Sequence, residues 1–217
     1  MKRSILLLVV ALQACDAPTA TRPDFAYDPT LLTGGQLYRW TSGQRLAVWV
    51  ESGSTMGTLD LGQAVREAMT SWNAVPLFAE FTLVSATSLA EANIVVFDRA
   101  TAMPLTAASC TYDPRNSAGY TYFCPSGSTP ARATTLALPS GGASTVTVLI
   151  RVDRARVADQ RGYVSLVAHE LGHALGIGGH SDLASDLMFG APTVASPSAR
   201  DQQTLRYLLG RKPDISL

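Results

Sequence analysis

Histidine is almost missing from this sequence: its 217 residues contain three, and all three fall between positions 169 and 180. Net charge is missing too, with 17 basic residues against 17 acidic ones. That balance gives no electrostatic footprint for nucleic acid or an acidic membrane surface. No internal repeat is present, and the apolar run Ile5 to Leu12 is too short to span a bilayer as a permanent helix. Cysteine is confined to positions 15, 110 and 124. What remains is a chain of 47% hydrophobic residues, enough to bury one good core, so one domain with tails is the expectation.

The N-terminal run has a positive start, Met1-Lys2-Arg3, and then its short apolar stretch, which reads as a secretory signal over residues 1–15. It ends in Leu12-Gln13-Ala14-Cys15, which resembles the lipobox of bacterial lipoproteins, where cleavage precedes an acylated Cys, although Gln13 is not the usual small residue. The plainer alternative is an ordinary signal cleaved near Ala14, with Cys15 incidental. Either way the domain lies outside the cytoplasm, and the membrane is reached only through a lipid anchor at Cys15. In an oxidising compartment Cys110 and Cys124 are expected to form a disulfide, and closing that loop is worth about 3 kcal/mol in the chain-entropy model.

The stretch that organises the rest is His169-Glu-Leu-Gly-His-Ala-Leu-Gly-Ile-Gly-Gly-His180, followed by Met188. On a helix, His169 and His173 project from one face a turn apart, the spacing at which two imidazoles bind one zinc. A third ligand on the same helix would not reach the ion, so the chain must turn back, and Gly176 stands where a helix ends at positive φ. His180 then approaches from the far side. Three neutral imidazoles leave a fourth position open, as in a catalytic rather than a structural zinc site. Glu170 is rotated off the ligand face and is better placed to move a proton than to bind metal. A lone His-Glu-x-x-His arises by chance on amphipathic helices, but the extended string that gathers every histidine of the chain is far harder to produce that way. Met188 alone would be ordinary core packing.

This pattern resembles the metzincin zinc peptidases, and Ser181 with the short spacing to Met188 most resembles the matrixins. The resemblance covers roughly residues 40 to 210 and includes Tyr163-Val-Ser-Leu-Val-Ala ahead of the motif, Trp72-Asn73, Pro76-Leu77, Phe81 and Ala92-Asn93-Ile94. One departure stands out: Ile177, Gly178 and Gly179 put three residues between Gly176 and the third His, where the family has two. The resemblance implies zinc on His169, His173 and His180, Glu170 as general base, Gly176 as the turn and Met188 as an apolar floor. It leaves room for calcium at Asp98 or Asp113 with backbone oxygens, against the plainer reading that isolated surface Asp residues are solvated. A second zinc of the family's kind would need histidines that this chain does not have, and the cysteine-switch segment has no counterpart.

In chain order, residues 16–40 carry Pro18, Pro23 and Pro29 without apolar periodicity and suit a tether or strap, leaving 41–217 for the catalytic domain. Arg45–Glu51, Phe81–Val84, Asn93–Asp98 and Thr145–Asp153 read as strands, Asn93–Asp98 apolar enough to be covered on both faces. Leu61, Val65, Ala68 and Trp72 make a helical stripe. The segment 99–143 is broken by prolines, and either Gly119–Phe123 or Thr134–Leu138 would be the substrate-binding edge strand that the resemblance implies. Gly190–Pro197 is a loop beside the pocket. Ser198 and Asp201 form a capping box ahead of Leu205, Leu208 and Leu209, with Gly210 as the stop. The fold expectation is α/β (α+β): a twisted mixed sheet with about three helices, the active-site helix followed by the Met-turn and a C-terminal helix, metzincin-like as the resemblance implies. The functional expectation is an exported, monomeric zinc metalloendopeptidase acting on protein or peptide substrates. The alternatives are an inactive zinc-holding adhesion or binding module and a peptidase that acts only on its own precursor.

Overall fold

A computed structural model describes residues 25–51, 55–98, 117–123, 134–137 and 143–217. In chain order the strands are β1 (Tyr38–Arg39), β2 (Gln44–Val50), β3 (Thr55–Met56), β4 (Leu59–Asp60), β5 (Phe81–Ser85), β6 (Ile94–Asp98), β7 (Gly119–Phe123), β8 (Thr134–Ala137), β9 (Ala143–Val146), β10 (Val148–Val152) and β11 (Ile215–Ser216). The α-helices are α1 (Leu61–Asn73), α2 (Gln160–Ala174) and α3 (Ala199–Leu209). The molecule is a mixed α/β structure built on one five-stranded sheet of order β5-β2-β6-β10-β7.

The first four strands of that sheet run parallel, and β7 closes the edge antiparallel to β10. Burial follows position. Every residue of β6 and β10 is buried, because helices cover one face of these inner strands and a second apolar layer covers the other. Leu46, Val48, Ile94, Val96, Val148 and Ile150 face the helices, whereas Val95, Phe97, Tyr122 and Leu149 face the smaller layer. The exposed backbone of the outer strand β5 is met by a side chain: Asn73 accepts from the Leu83 amide at 2.8 Å and donates to the Leu83 carbonyl at 2.9 Å. An edge that would otherwise invite pairing is thereby blunted.

Helix α1 starts at Asp60, whose carboxylate accepts from the Gln63 amide, and its stripe Leu61, Ala64, Val65, Ala68, Met69 and Trp72 is buried. Helix α2 is capped in the same way by Asp159 and is buried along Tyr163–Gly172. Two indoles tie it down. Trp72 Nε1 donates to the Ala168 carbonyl at 2.7 Å, and Trp40 Nε1 donates to the Ala174 carbonyl at 2.8 Å. Among the described residues, no helix is long and apolar enough to cross a membrane.

One boundary differs from the sequence expectation. The single strand read over Thr145–Asp153 is two strands broken at Thr147, because the Thr147 and Val148 amides turn to the Asn93 carbonyl and the chain changes partner from β8 to β6. Helix α3 stops at Gly210 as expected, with φ −82°, so a glycine is not conformationally required there. Of the two edge-strand alternatives, β7 lies at the border of the main sheet, and β8 belongs to a separate hairpin with β9. Residues 25–40 of the expected tether or strap lie on the body, Phe25 edge-on to Tyr207 and β1 paired with β11.

Candidate metal centre

The last turns of α2 bring His169 and His173 together with their rings edge to face. His169 Nδ1 lies 2.8 Å from the Leu187 carbonyl oxygen, and His173 Nδ1 lies 2.6 Å from that of Ile177. A carbonyl can only accept, so each Nδ1 must carry the ring proton and each Nε2 must present a bare lone pair. Those two Nε2 atoms are 3.1 Å apart, and His180 Nε2 is 3.2 Å from that of His173. Two bare nitrogens at that distance repel unless a cation lies between them. Zinc with about 2.0–2.1 Å bonds at tetrahedral angles separates its ligands by about 3.3 Å. The three histidines therefore form a donor set of the right type and spacing, further shaped by the backbone carbonyls that fix the tautomers.

The third histidine arrives through a tight reversal. Gly176 has φ 110°, and a Cβ there would collide with the Tyr38 carbonyl, so glycine is needed on both counts. After His180, the Ser181 amide donates to the Met188 carbonyl at 2.8 Å, and Ser181 pairs with Phe189 in an isolated bridge. Ser181 Oγ donates to Asp186, which also pairs with Arg200 at 2.8 Å. Asp201, completely buried, accepts from the Leu187 amide at 2.8 Å and the Met188 amide at 3.2 Å. One relay thus runs from the start of α3 through the Leu187–Met188 turn to His169. Met188 is fully buried, with its thioether against Gly172, where a Cβ would also stand 2.8 Å from Trp72 Cζ2.

The Glu170 carboxyl lies against β7. Its Oε2 accepts from the Thr121 hydroxyl at 2.7 Å, and Gly119 leaves the space that its carboxyl fills. Burial pushes Glu170 up to about 7, against the opposing pull of the Thr121 hydrogen bond and the charge of Arg151. Burial also holds His169 down to about 4 and keeps His173 and His180 below the usual imidazole range, with the neighbouring ring adding to the effect at His173. The histidines are therefore neutral and able to ligate at neutral pH, beside a carboxyl poised to exchange a proton there.

No family model matches the sequence, and no curated protein matches it.

The structure brings together His169, His173 and His180, while Glu170 bonds Thr121, Gly176 makes the turn after α2, and Met188 packs on Gly172. The cysteines at 15, 110 and 124 and Asp113 lie outside the described residues. Asp98, read as a solvated surface residue or a calcium ligand, is fully buried at the end of β6, where Tyr163 donates to it at 3.1 Å and Arg154 lies 3.5 Å away. Thr121 and Gly119 escaped the sequence reading, because a proline-broken segment gives no sign of which strand will pass the helix. Asp201 was legible as a helix cap. Its grip on the Met188 turn was not, since nothing local links position 201 to 187.

Proposed function

We propose that the protein is an exported zinc-dependent metalloendopeptidase of the metzincin, matrixin-like kind. The observation that carries this reading is the pair of bare, facing Nε2 atoms on α2, joined by His180 and flanked by the buried carboxyl of Glu170. His169, His173 and His180 would hold the ion. When bound there, zinc supplies a Lewis acid that makes a water acidic near neutrality and polarises a carbonyl.

The chain's own groups do the rest. Glu170 takes the proton of the attacking water on its carboxylate and returns it to the nitrogen of the departing amine, so one residue serves as base and then as acid. Its position near neutrality suits both halves of that cycle. Thr121 holds one carboxylate oxygen, and the other would carry the transferred proton. β7 borders the main sheet beside Glu170, and an extended substrate backbone would lie along that strand. No side-chain nucleophile is needed. The apolar leader Ile5–Leu12 supports export, with Cys15 as the lipid anchor.

The test is a digestion of a broad peptide library by the mature protein. Cleavage that stops when a chelator removes the metal and returns with added zinc is the expected result. A protein that carries one zinc and cleaves nothing overturns the enzyme reading in favour of a zinc-holding binding module.

A further inference from the structure

We infer that the strap Asp28–Thr33 is a positioning element for the third metal ligand: it seats the loop Ile177–Gly179 and so aims His180 at His169 and His173. This rests on the metal-centre reading above and accounts for the extra residue before His180.

The contact is reciprocal and made by backbone. The Leu32 amide donates to the Gly178 carbonyl at 2.5 Å, and the Gly178 amide donates to the Pro29 carbonyl at 2.7 Å. Packing is equally close. A Cβ on Gly178 would lie 3.0 Å from the Pro29 carbonyl oxygen, and one on Gly179 would lie 3.0 Å from the Asp28 carbonyl carbon and nearer still to its oxygen. Neither glycine has a positive φ, so the glycines are required here by space and not by backbone freedom. The loop and the strap are fitted to each other.

The strap is itself held. Asp28 accepts from the Thr30 amide and hydroxyl, both at 2.8 Å, and Thr33 Oγ1 donates to backbone carbonyls at either end of the turn. Upstream, the Tyr27 hydroxyl donates to Asp201 at 2.7 Å, and the Ala26 amide donates to Thr204 at 3.2 Å. Leu31 and Leu32 are 66% and 60% exposed, so this segment is kept in place by its hydrogen bonds and not by burying those side chains. His180 is exposed as well, which leaves the backbone of its loop to aim the ring. Two adjacent glycines without a seat would sample many conformations, and the third ligand would be offered to the metal for only a fraction of the time.

Coupling of this kind is mutual: if the strap orders the ligand loop, an ion that orders the loop must also protect the strap. The experiment uses the full chain. Zinc affinity is measured by competition with a chromophoric chelator for wild type and Gly179→Ala, and amide hydrogen exchange at Leu32 and Gly178 is followed in wild type with zinc and after its removal. Gly179→Ala is expected to bind one zinc about 10- to 100-fold more weakly, the usual cost of disturbing a group that orients a ligand. Both wild-type amides are expected to exchange faster once zinc is gone. Gly179→Ala that folds and binds zinc within about twofold of wild type would overturn the inference. So would exchange at Leu32 and Gly178 indifferent to zinc, a measurement that decides the matter even where the variant does not fold. Both results leave the metal centre standing, whereas a wild type that takes up no zinc overturns the metal centre and the strap's role with it.

Discussion

Thr121 is where a single residue bears most on the chemistry. Among the described residues its hydroxyl is the hydrogen-bond donor that opposes the burial-driven rise of Glu170. Thr121→Val keeps the shape and removes that donor, so the protonated carboxyl gains and the acid limb of the pH–rate profile should move to higher pH. A hydrogen bond to a charged group is worth about 1.5–3 kcal/mol, so kcat/KM at neutral pH should fall by about tenfold or more and recover as pH rises. Thr121→Ser should restore the profile. A Thr121→Val profile superimposable on that of wild type would mean that the hydroxyl does not govern Glu170. The ligands were legible because histidine spacing on a helix is fixed by geometry within four residues. Thr121 was not, because a strand that meets α2 from 49 positions away leaves no local mark.

At the scale of elements, the N-terminus of α3 does two jobs. Its capping box satisfies its own amides, and the same carboxylate of Asp201 also receives Leu187, Met188 and Tyr27. Asp201→Asn keeps the size but replaces one acceptor oxygen with an amide NH2, which can only donate. Two oxygens now serve four donors: Ser198 and Leu187 share Oδ2, and Tyr27 and Met188 share Oδ1. Whichever way the amide turns, two donors lose an acceptor in a fully buried place. Each such loss costs about 1–3 kcal/mol. Denaturant unfolding of the zinc-free protein should show that destabilisation, and zinc affinity should fall as well, because Leu187 orients His169. Unchanged stability would separate the cap from the turn. The elements themselves were readable: α1 from its apolar stripe, β6 from its unbroken apolar run, and α3 from Ser198 and Asp201. The break at Thr147 was not, since a β-rich run looks the same whether it keeps one partner or exchanges it for another.

For the whole molecule, three imidazoles held below their ordinary range make metal-free stability depend on pH. In the unfolded chain they take up protons below about 6.5. In the fold, His169 stays neutral down to about 4. The folded state therefore loses stability as pH falls through that window, by on the order of 3 kcal/mol for His169 alone. Glu170 acts in the opposite sense, because its protonated form is favoured in the fold up to about 7, and one carboxyl offsets only part of three histidines. Urea midpoints of the zinc-free protein should therefore be lower at pH 5 than at pH 7, and zinc should narrow the gap by binding the neutral rings. Equal midpoints would show that the imidazoles are more open to water than their burial implies.

The central claim is that the three histidines and Glu170 are a hydrolytic centre in which holding metal and moving protons are separate duties. Glu170→Gln separates them: the amide fills the same space between Gly119 and Thr121 but cannot accept the proton. The decisive measurement is the peptide hydrolysis rate of that variant beside wild type, each loaded with zinc to one ion per chain. The account predicts full zinc loading with hydrolysis lower by about 10²–10⁴. A Glu170→Gln protein that carries zinc and cleaves as fast as wild type would contradict it.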